Sequence, residues 1–321
     1  MLKDLGSRDI QFIQCVRNIR QKILDIAQVS NLEYTSIPLQ GSGTYAVEAV
    51  FQSTVPRSDG KVLILENGAY GKRIAKICEV AGISKRVLSF PESSAVNVSV
   101  VEDVLKDDPS FTHVAIVHCE TSSGVFNPIV DVGQIVKKYL QNCIYFVDAM
   151  SSFGAVPLDF AAGDIDFMVS SANKCLQGVP GFSYVVAKTR KLLECRGYSR
   201  CLTLDLYDQY QNLEATGQFR FTPPTHTMLA FQQAIVEYEK EGGLKGSDPH
   251  FDFNTFYSKL NDLDFVIYPG KVLEANCFRI GTIVICICFM YTMHIGASLT
   301  TINLKDICNF CMPMEINIGL F

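Results

Sequence analysis

Residues 112–148 read THVAIVHCETSSGVFNPIVDVGQIVKKYLQNCIYFVD, and the fold class follows from the pattern of this stretch. It begins with a short apolar run at 112–118, continues through residues 129–140 with apolar side chains at helical spacing, and closes with a second apolar run at 143–147. Short apolar strands that alternate with helices are typical of parallel sheets whose two faces are covered. The stretch therefore predicts an α/β fold.

The same alternation extends toward both ends of the chain. Further strands are expected at residues 61–65, 86–90, 166–169 and 182–187, and further helices at 45–51, 71–81 and 99–106. A helix with one buried face is expected over residues 9–29, with a glycine-bearing turn after it. Together these elements predict a largely parallel sheet over residues 35–190.

The composition and the net charge limit the kinds of molecule that the protein is expected to bind. The chain has 321 residues, enough for about two domains. With 48% hydrophobic and 19% charged residues it is too apolar for a disordered chain. Its 28 Lys and Arg residues against 33 Asp and Glu residues give a net charge of -5, which argues against nucleic acid as a ligand. Small molecules are the expected partners.

The twelve cysteines are scattered, and several lie inside apolar runs. The first residues contain no apolar segment of the kind found in signal peptides. We therefore expect free thiols in a reducing compartment, the cytoplasm or alternatively the mitochondrion. Cys308 and Cys311 have a metal-like spacing but no accompanying histidine or second cysteine pair, so no metal site is predicted.

Two residues at the ends of predicted strands have side chains suited to binding an aldehyde cofactor. Parallel sheets bind ligands beyond the carboxyl ends of their strands. Lys174 lies there, and a partly desolvated lysine amine can form a Schiff base with an aldehyde such as pyridoxal phosphate (PLP). Asp148 ends another strand, and a carboxylate can keep the pyridine nitrogen of that cofactor protonated. Each residue alone also fits an ordinary surface or turn position, but the pair favours PLP.

The cofactor phosphate has a candidate site in residues 41–44. Gly41, Ser42, Gly43 and Thr44 lead directly into a predicted helix, whose free amides and positive dipole end suit an anion. The segment lacks the P-loop pattern, so hydrolysis of a nucleoside triphosphate is not indicated. Tyr70 suits a stacking role above a pyridine ring.

A nicotinamide-dependent oxidoreductase is the competing hypothesis. Gly41, Gly43 and Ala46 fit a loose dinucleotide fingerprint, and Glu66 ends the next predicted strand. That hypothesis leaves Lys174 and Asp148 without a role.

Two arginines could contact anions. Arg220 begins the run 220–226, which combines a cation, hydroxyls and a stiff turn. Arg279 lies in an otherwise apolar run and could hold a carboxylate through two parallel hydrogen bonds. A connecting loop and a structural ion pair, respectively, are the alternatives.

Residues 170–182 (SSANKCLQGVPGF), 219–226 (FRFTPPTH), 265–271 (FVIYPGK) and 278–281 (FRIG) resemble 2-aminoethylphosphonate:pyruvate aminotransferases, a family of class-V, fold type I PLP enzymes. The resemblance extends over residues 4–281. It implies an aspartate aminotransferase-like large domain with a mostly parallel, seven-stranded sheet, together with a small α+β domain. Another PLP aminotransferase, of the alanine:glyoxylate type, is an alternative.

The resemblance also implies roles for individual residues. Lys174 would bind the cofactor covalently and transfer protons, and Asp148 would pair with the pyridine nitrogen. Arg279 would hold the carboxylate of pyruvate or alanine. The implied cofactor-binding residues are Ser42, Gly43, Thr44, Tyr70, Thr121, Asp148, Lys174 and Thr222. Thr222 would reach the phosphate from the partner subunit of a homodimer.

The implied reaction belongs to phosphonate catabolism. The amine of 2-aminoethylphosphonate would pass to the cofactor, leaving phosphonoacetaldehyde, and then to pyruvate, giving L-alanine.

Three departures from the family shape the expected domain organisation. The usual Thr-Pro-Gly-Pro-type start is absent, a few tens of small-domain residues are missing after residues 241–243, and the family pattern ends at Gly281. We expect an N-terminal helical segment (1–30), a PLP-binding large domain (31–240), a remnant of the small domain (241–281) and an atypical apolar tail (282–321). A catalytically impaired truncated or splice-variant form that binds only PLP or a partner subunit is therefore a second hypothesis.

The apolar tail could be taken for a membrane anchor. Residues 280–304 contain no Lys, Arg, Asp or Glu, a length that could span a bilayer. However, the run begins inside a family motif, includes His294 and has no flanking basic clusters. Read-through of non-coding sequence or altered splicing is the favoured interpretation.

Overall fold

The computed structural model describes residues 5–245, and the elements within this range alternate as the sequence predicts. The helices are α1 (Ile10–Ala27), α2 (Gly43–Thr54), α3 (Ala69–Val80), α4 (Val98–Asp107), α5 (Ile129–Tyr139), α6 (Thr189–Glu194), α7 (Leu206–Thr216) and α8 (Thr225–Lys240). The strands are β1 (Tyr34–Gln40), β2 (Lys61–Glu66), β3 (Ser84–Ser89), β4 (His113–Val117), β5 (Cys119–Glu120), β6 (Val125–Phe126), β7 (Ile144–Asp148), β8 (Phe167–Ser171) and β9 (Phe182–Lys188). A 3₁₀ turn at Gly243–Lys245 follows α8.

Seven strands form one sheet in the order β1-β9-β8-β7-β4-β2-β3, and β5 pairs with β6 in a separate hairpin. The pairs β8–β7, β7–β4, β4–β2 and β2–β3 are parallel, whereas β9 runs antiparallel to both β1 and β8. The mostly parallel, seven-stranded sheet predicted from the sequence is thereby confirmed. Since only β9 is reversed, the carboxyl ends of the other six strands lie at one edge of the sheet.

The apolar core lies between the sheet and the helices packed on it. Strands β4, β7 and β8 are buried at every residue, which explains their continuous apolar sequences. Helix α2 packs on the sheet through Phe51, whose ring meets that of Phe146 edge to face with centroids 4.9 Å apart. Burial of one such ring contributes about 1.5–3 kcal/mol. Strand β3, expected to be apolar, is instead largely exposed because it forms an edge of the sheet.

The sequence interpretation missed some elements. The turn expected after the first helix is in fact strand β1, whose sequence YTSIPLQ is broken by polar residues and Pro38. Proline is tolerated there because β1 is an edge strand that pairs only with β9. Helices α7 and α8 were not predicted either, and the run 220–226 covers the second half of the loop that joins them and the first two residues of α8.

The predicted segments fall partly outside the described residues. Helix α1, the predicted N-terminal segment, packs against β1 and α8 and contributes Phe12 and Ile19 to the main core. The small-domain remnant beyond residue 245, the tail 282–321 and Arg279 lie outside the described residues, and the domain division stays a prediction. Within residues 5–245, no helix is long and apolar enough to cross a membrane.

Candidate active site

Six predicted site residues line one cavity at the carboxyl ends of the parallel strands. The cavity has a volume of about 290 Å³. The six residues are Ser42, Gly43, Thr44, Tyr70, Asp148 and Lys174. Strands β1, β2, β7 and β8 each deliver at least one of them, because each residue lies at or shortly after a strand end. A larger cavity of about 450 Å³ lies at the opposite ends of β2 and β3 and contains none of these groups.

Asp148 is the last residue of β7 and is buried. Its Oδ1 accepts a hydrogen bond of 3.0 Å from the backbone N–H of Met150. The pKa of the carboxyl is raised to about 6, chiefly because the group is buried; Glu120 also raises this pKa, whereas the Met150 N–H, Lys174 and Arg73 lower it. No residue within 5–245 forms an ion pair with Asp148. A buried carboxylate without a countercharge is suited to a cationic ligand group.

Lys174 reaches the same cavity from the turn after β8. The backbone N–H of Lys174 donates to the Ser171 carbonyl at 3.3 Å, and its backbone carbonyl accepts from the Gln177 N–H at 2.8 Å. The turn therefore fixes the backbone. The side chain is half-buried. Within the described part of the chain no acidic group forms an ion pair with its Nζ, and the amine is available for covalent chemistry.

The start of α2 forms the end of the cavity where the sequence predicts that a phosphate binds. Ser42 is the N-cap residue, yet its hydroxyl does not cap the helix, so the first amides keep their hydrogen-bonding capacity. A Cβ at Gly43 would overlap the side chain of Met150, which explains the absence of a side chain at this position. Gly41 has a φ of +104°, and its N–H donates to the Gly181 carbonyl at 3.0 Å. The backbone can therefore approach an anion closely.

Tyr70 is fixed at the start of α3 by a buried acid that the sequence interpretation missed. The carboxylate of Glu120 accepts hydrogen bonds from the N–H groups of Tyr70 (3.2 Å) and Gly71 (3.3 Å). It also accepts one of 2.6 Å from the hydroxyl of Ser122. Glu120 thus caps α3 and sets the position of the Tyr70 ring at the cavity wall. The predicted β4-to-α5 junction contained this residue, but nothing in its spacing singled it out.

Arg73 was also missed, although it lines the cavity. It lies three residues after Tyr70 on α3, and residues at this spacing share a helix face. That spacing from a predicted site residue is the signal that could have identified it. Ser171 and Asn173 also line the cavity, and the Ser171 hydroxyl donates to the Asn173 side-chain oxygen at 3.0 Å.

The remaining predicted residues do not line this cavity. Thr121 lies at the β5–β6 hairpin, with its hydroxyl 2.6 Å from that of Ser151. Thr222 is exposed, and its carbonyl accepts from the Gln40 side chain at 3.1 Å. The Arg220 guanidinium lies 3.3 Å from the Asp208 carboxylate and donates to the Leu202 carbonyl, so it belongs to a structural ion pair.

The topology argues against the nicotinamide hypothesis. A dinucleotide fingerprint requires the strand before the glycines and the strand that ends in the acid to be neighbours in a βαβ unit. Here β1 is the first strand in the sheet order and β2 the sixth. Glu66 accepts a hydrogen bond of 3.0 Å from the Ser89 hydroxyl and is buried. The fingerprint match at Gly41 and Gly43 is accidental.

The donor set of the cavity fits PLP. The amine of Lys174 matches the aldehyde of the cofactor, and the unpaired buried carboxylate of Asp148 matches its pyridine nitrogen. The start of α2, with the small residue Gly43, matches its phosphate. Tyr70 adds an aromatic surface for the ring.

Comparison with known proteins agrees with this site. Residues 3–266 match the family described as aminotransferase class-V. The chain belongs to the class-V aminotransferase family. It is 42% identical to the 2-aminoethylphosphonate–pyruvate transaminase of Bacillus cereus over 88% of each chain. It is also 45% identical to the Vibrio cholerae protein of the same name, again over 88% of each chain.

A solved structure supports the fold. The alanine–glyoxylate aminotransferase from Nostoc superposes with a TM-score of 0.74 at 24% identity, covering 83% of this chain and 70% of that one. The aspartate aminotransferase-like fold and the family resemblance stated from the sequence are thus confirmed.

Proposed function

We propose that the protein is a PLP-dependent transaminase that passes the amine of 2-aminoethylphosphonate to pyruvate, giving phosphonoacetaldehyde and L-alanine. The observation that carries this proposal is that Lys174, Asp148 and the start of α2 line one cavity. The choice of substrates is supported by the names of the relatives that are 42% and 45% identical.

The walls of the cavity bind and orient the cofactor. When bound, PLP supplies a protonated pyridine ring that takes up the electrons released at the substrate carbon. Asp148 would hold the proton at the ring nitrogen, since its buried carboxylate forms no ion pair within residues 5–245. The amides and hydroxyls of Ser42 and Thr44 would hold the phosphate, and Tyr70 would provide an aromatic surface for the ring.

Lys174 has two tasks. Its Nζ would hold the cofactor covalently through the aldehyde, and the same amine would move a proton from and to the substrate carbon. Its half-buried position limits the access of water to that proton. The turn after β8 fixes the backbone of Lys174, so the side chain starts from the same place in both half-reactions.

Assembly and compartment are part of the proposal. Thr222 is exposed beside Gln40, which is consistent with a role at a neighbouring subunit in a homodimer. Arg279 is proposed to hold the substrate carboxylate. All seven cysteines within residues 5–245 are free thiols, which supports a reducing compartment such as the cytoplasm.

The cofactor assignment is tested by labelling. The purified chain is mixed with PLP, reduced with borohydride, and digested for mass spectrometry. We expect a visible absorption band and a reduced adduct on Lys174, both lost in Lys174→Ala and retained in Lys138→Ala. Lys138 is the matched control because it is 62% exposed and remote from the cavity. An adduct on other lysines alone would contradict the assignment.

The substrate assignment is tested by turnover. We expect L-alanine from 2-aminoethylphosphonate plus pyruvate, at a kcat/KM higher than with alanine plus glyoxylate. Labelling of Lys174 without any alanine formation would instead favour the catalytically impaired form.

A further inference from the structure

Three charged residues line the cavity, and Arg73 is the one that has no role in the proposed function. Its guanidinium lies over the Tyr70 ring, with the guanidinium carbon 4.6 Å from the ring centroid. Its Nη1 lies 3.4 Å from the hydroxyl oxygen of Thr44, at the first turn of α2. The side chain is exposed to solvent on the cavity side.

The charge of Arg73 is not neutralised within residues 5–245. None of the ion pairs in that part of the chain includes Arg73. Its neighbour Lys72, by contrast, lies 2.9 Å from Glu92, and Lys76 lies 2.7 Å from Glu79 on the same helix. Arg73 is therefore a cation that is oriented by stacking on a ring but not paired with an acid.

The position of Arg73 indicates the sign and shape of its ligand. The guanidinium approaches the uncapped start of α2, so two positive features converge on one region of the cavity. A planar guanidinium donates two parallel hydrogen bonds to a tetrahedral oxyanion more readily than to a single carbonyl. The stacking on Tyr70 restricts its rotation and reduces the entropy lost on binding.

We propose that Arg73 binds a dianionic phosphorus oxyanion in this cavity and acts there together with Thr44. This inference rests on the proposed function for the identity of that oxyanion, which is either the cofactor phosphate or the phosphonate of the substrate. Both are doubly charged tetrahedral groups, and both enter the same cavity.

The first experiment needs no catalysis. Inorganic phosphate and methylphosphonate are titrated into the cofactor-free full chain, and binding is followed by phosphorus NMR. We expect Arg73→Met to weaken binding roughly 10- to 100-fold, the effect of one charged hydrogen-bonding partner. Arg73→Lys should keep part of the affinity. Lys76→Met removes a positive charge one turn farther along the same helix, at a residue that does not line the cavity and is paired with Glu79, and should bind as the wild type does.

The second experiment distinguishes the two sources of the oxyanion. If Arg73 holds the cofactor phosphate, Arg73→Met lowers the affinity for PLP and leaves that for pyridoxal, which lacks the phosphate, unchanged. If it holds the substrate phosphonate, PLP affinity is retained, KM for 2-aminoethylphosphonate rises and KM for pyruvate does not.

The inference would be overturned if Arg73→Met bound both probes as the wild type does and also kept the wild-type KM values and the wild-type ratio of PLP to pyridoxal affinity. A wild-type chain that binds phosphate through Arg73 but never binds PLP would overturn the proposed function and leave the inference standing.

Discussion

Two buried aspartates lie at opposite ends of two neighbouring parallel strands, one at the end of β7 and one just before β8. Asp166 immediately precedes β8 and is 1% exposed. Its Oδ2 lies 2.5 Å from Lys137 Nζ and accepts from the Tyr145 N–H at 2.9 Å, and its Oδ1 lies 3.4 Å from Lys188 Nζ. Asp148 ends β7 and is 3% exposed, and among the described residues its carboxylate accepts a hydrogen bond only from the Met150 N–H.

The difference separates a carboxylate that is paired within the fold from one whose charge is left for the cofactor proposed above. Both carboxylates are removed from water, which is unfavourable for a charge unless a partner compensates. Asp166 has its partners within the chain, so its charge contributes to folding. Asp148 keeps its charge for a ligand at the edge where chemistry is expected, and it weakens the cofactor-free fold.

The largest effect is expected from Asp166→Asn. Without the carboxylate, the mostly buried Lys137 amine loses its acidic partner and Lys188 keeps only Asp164, so the free energy of unfolding should fall by about 3–5 kcal/mol. Chemical denaturation at pH 7 measures this. Asp164→Asn is the matched control, since Asp164 pairs with Lys188 but is more exposed, and it should change the stability by about 1 kcal/mol or less. Equal losses of stability in Asp166→Asn and Asp164→Asn would show that the buried ion pairs of Asp166 contribute no more than an exposed one. Asp166 would then no longer differ from Asp148 as a stabilising acid.

Asp148→Asn should lower turnover while leaving the fold intact. An amide cannot hold the proton at the cofactor nitrogen, so we expect kcat to fall by about 10²- to 10³-fold, the usual effect of losing one preorganised charge. Cofactor-loaded protein should still carry the Lys174 adduct after borohydride reduction, which shows that the cavity is intact. A variant with normal kcat would show that Asp148 is, like Asp166, only a structural acid.

The sequence identified the strands of the parallel sheet and the residues at their ends because both follow from local patterns. Apolar runs such as 143–147 form buried strands, and the residue after such a run lies at the ligand-binding edge. Strand β1 escaped this reasoning because it pairs through its backbone at an edge, where a sequence with Ser36 and Pro38 is tolerated.

Arg73 and Glu120 show where local patterns stop being informative. Their roles depend on contacts across the fold, Arg73 with Thr44 and Glu120 with the start of α3. Such contacts join residues about 30 to 50 positions apart and leave no short motif. The pairing of Asp166 with Lys137 and Lys188 is equally invisible in the sequence, and only the structure separates this aspartate from Asp148.

The dependence of stability on pH should separate the two aspartates further. Folded Asp148 has a pKa of about 6, against 3.8 when exposed, so it binds its proton more tightly than the unfolded chain does. Its presence therefore lowers the free energy of unfolding as pH rises from about 4 to 6, by about 3 kcal/mol in total.

Comparison with Asp148→Asn isolates this effect. Burial lowers the pKa of His118 to about 4 and that of His113 to about 3, so these residues make stability rise with pH over the same range. Both contribute equally to wild type and variant and cancel in the difference. We expect the cofactor-free variant to match the wild type near pH 4 and to exceed it above pH 6. A difference independent of pH would mean that Asp148 has a charged partner in the folded protein.

The smallest effect should come from removing the partners of Asp166 one at a time. Lys137 lies nearer to the carboxylate and also donates to the Cys143 carbonyl at 2.8 Å, whereas Lys188 is shared with Asp164. Lys137→Met should therefore lower the free energy of unfolding by about 2 kcal/mol and Lys188→Met by about 1 kcal/mol. Because either lysine alone still compensates the charge, each loss should stay below that of Asp166→Asn. If one lysine variant matched Asp166→Asn, the carboxylate would depend on a single partner, and only one interaction would separate its environment from that of Asp148.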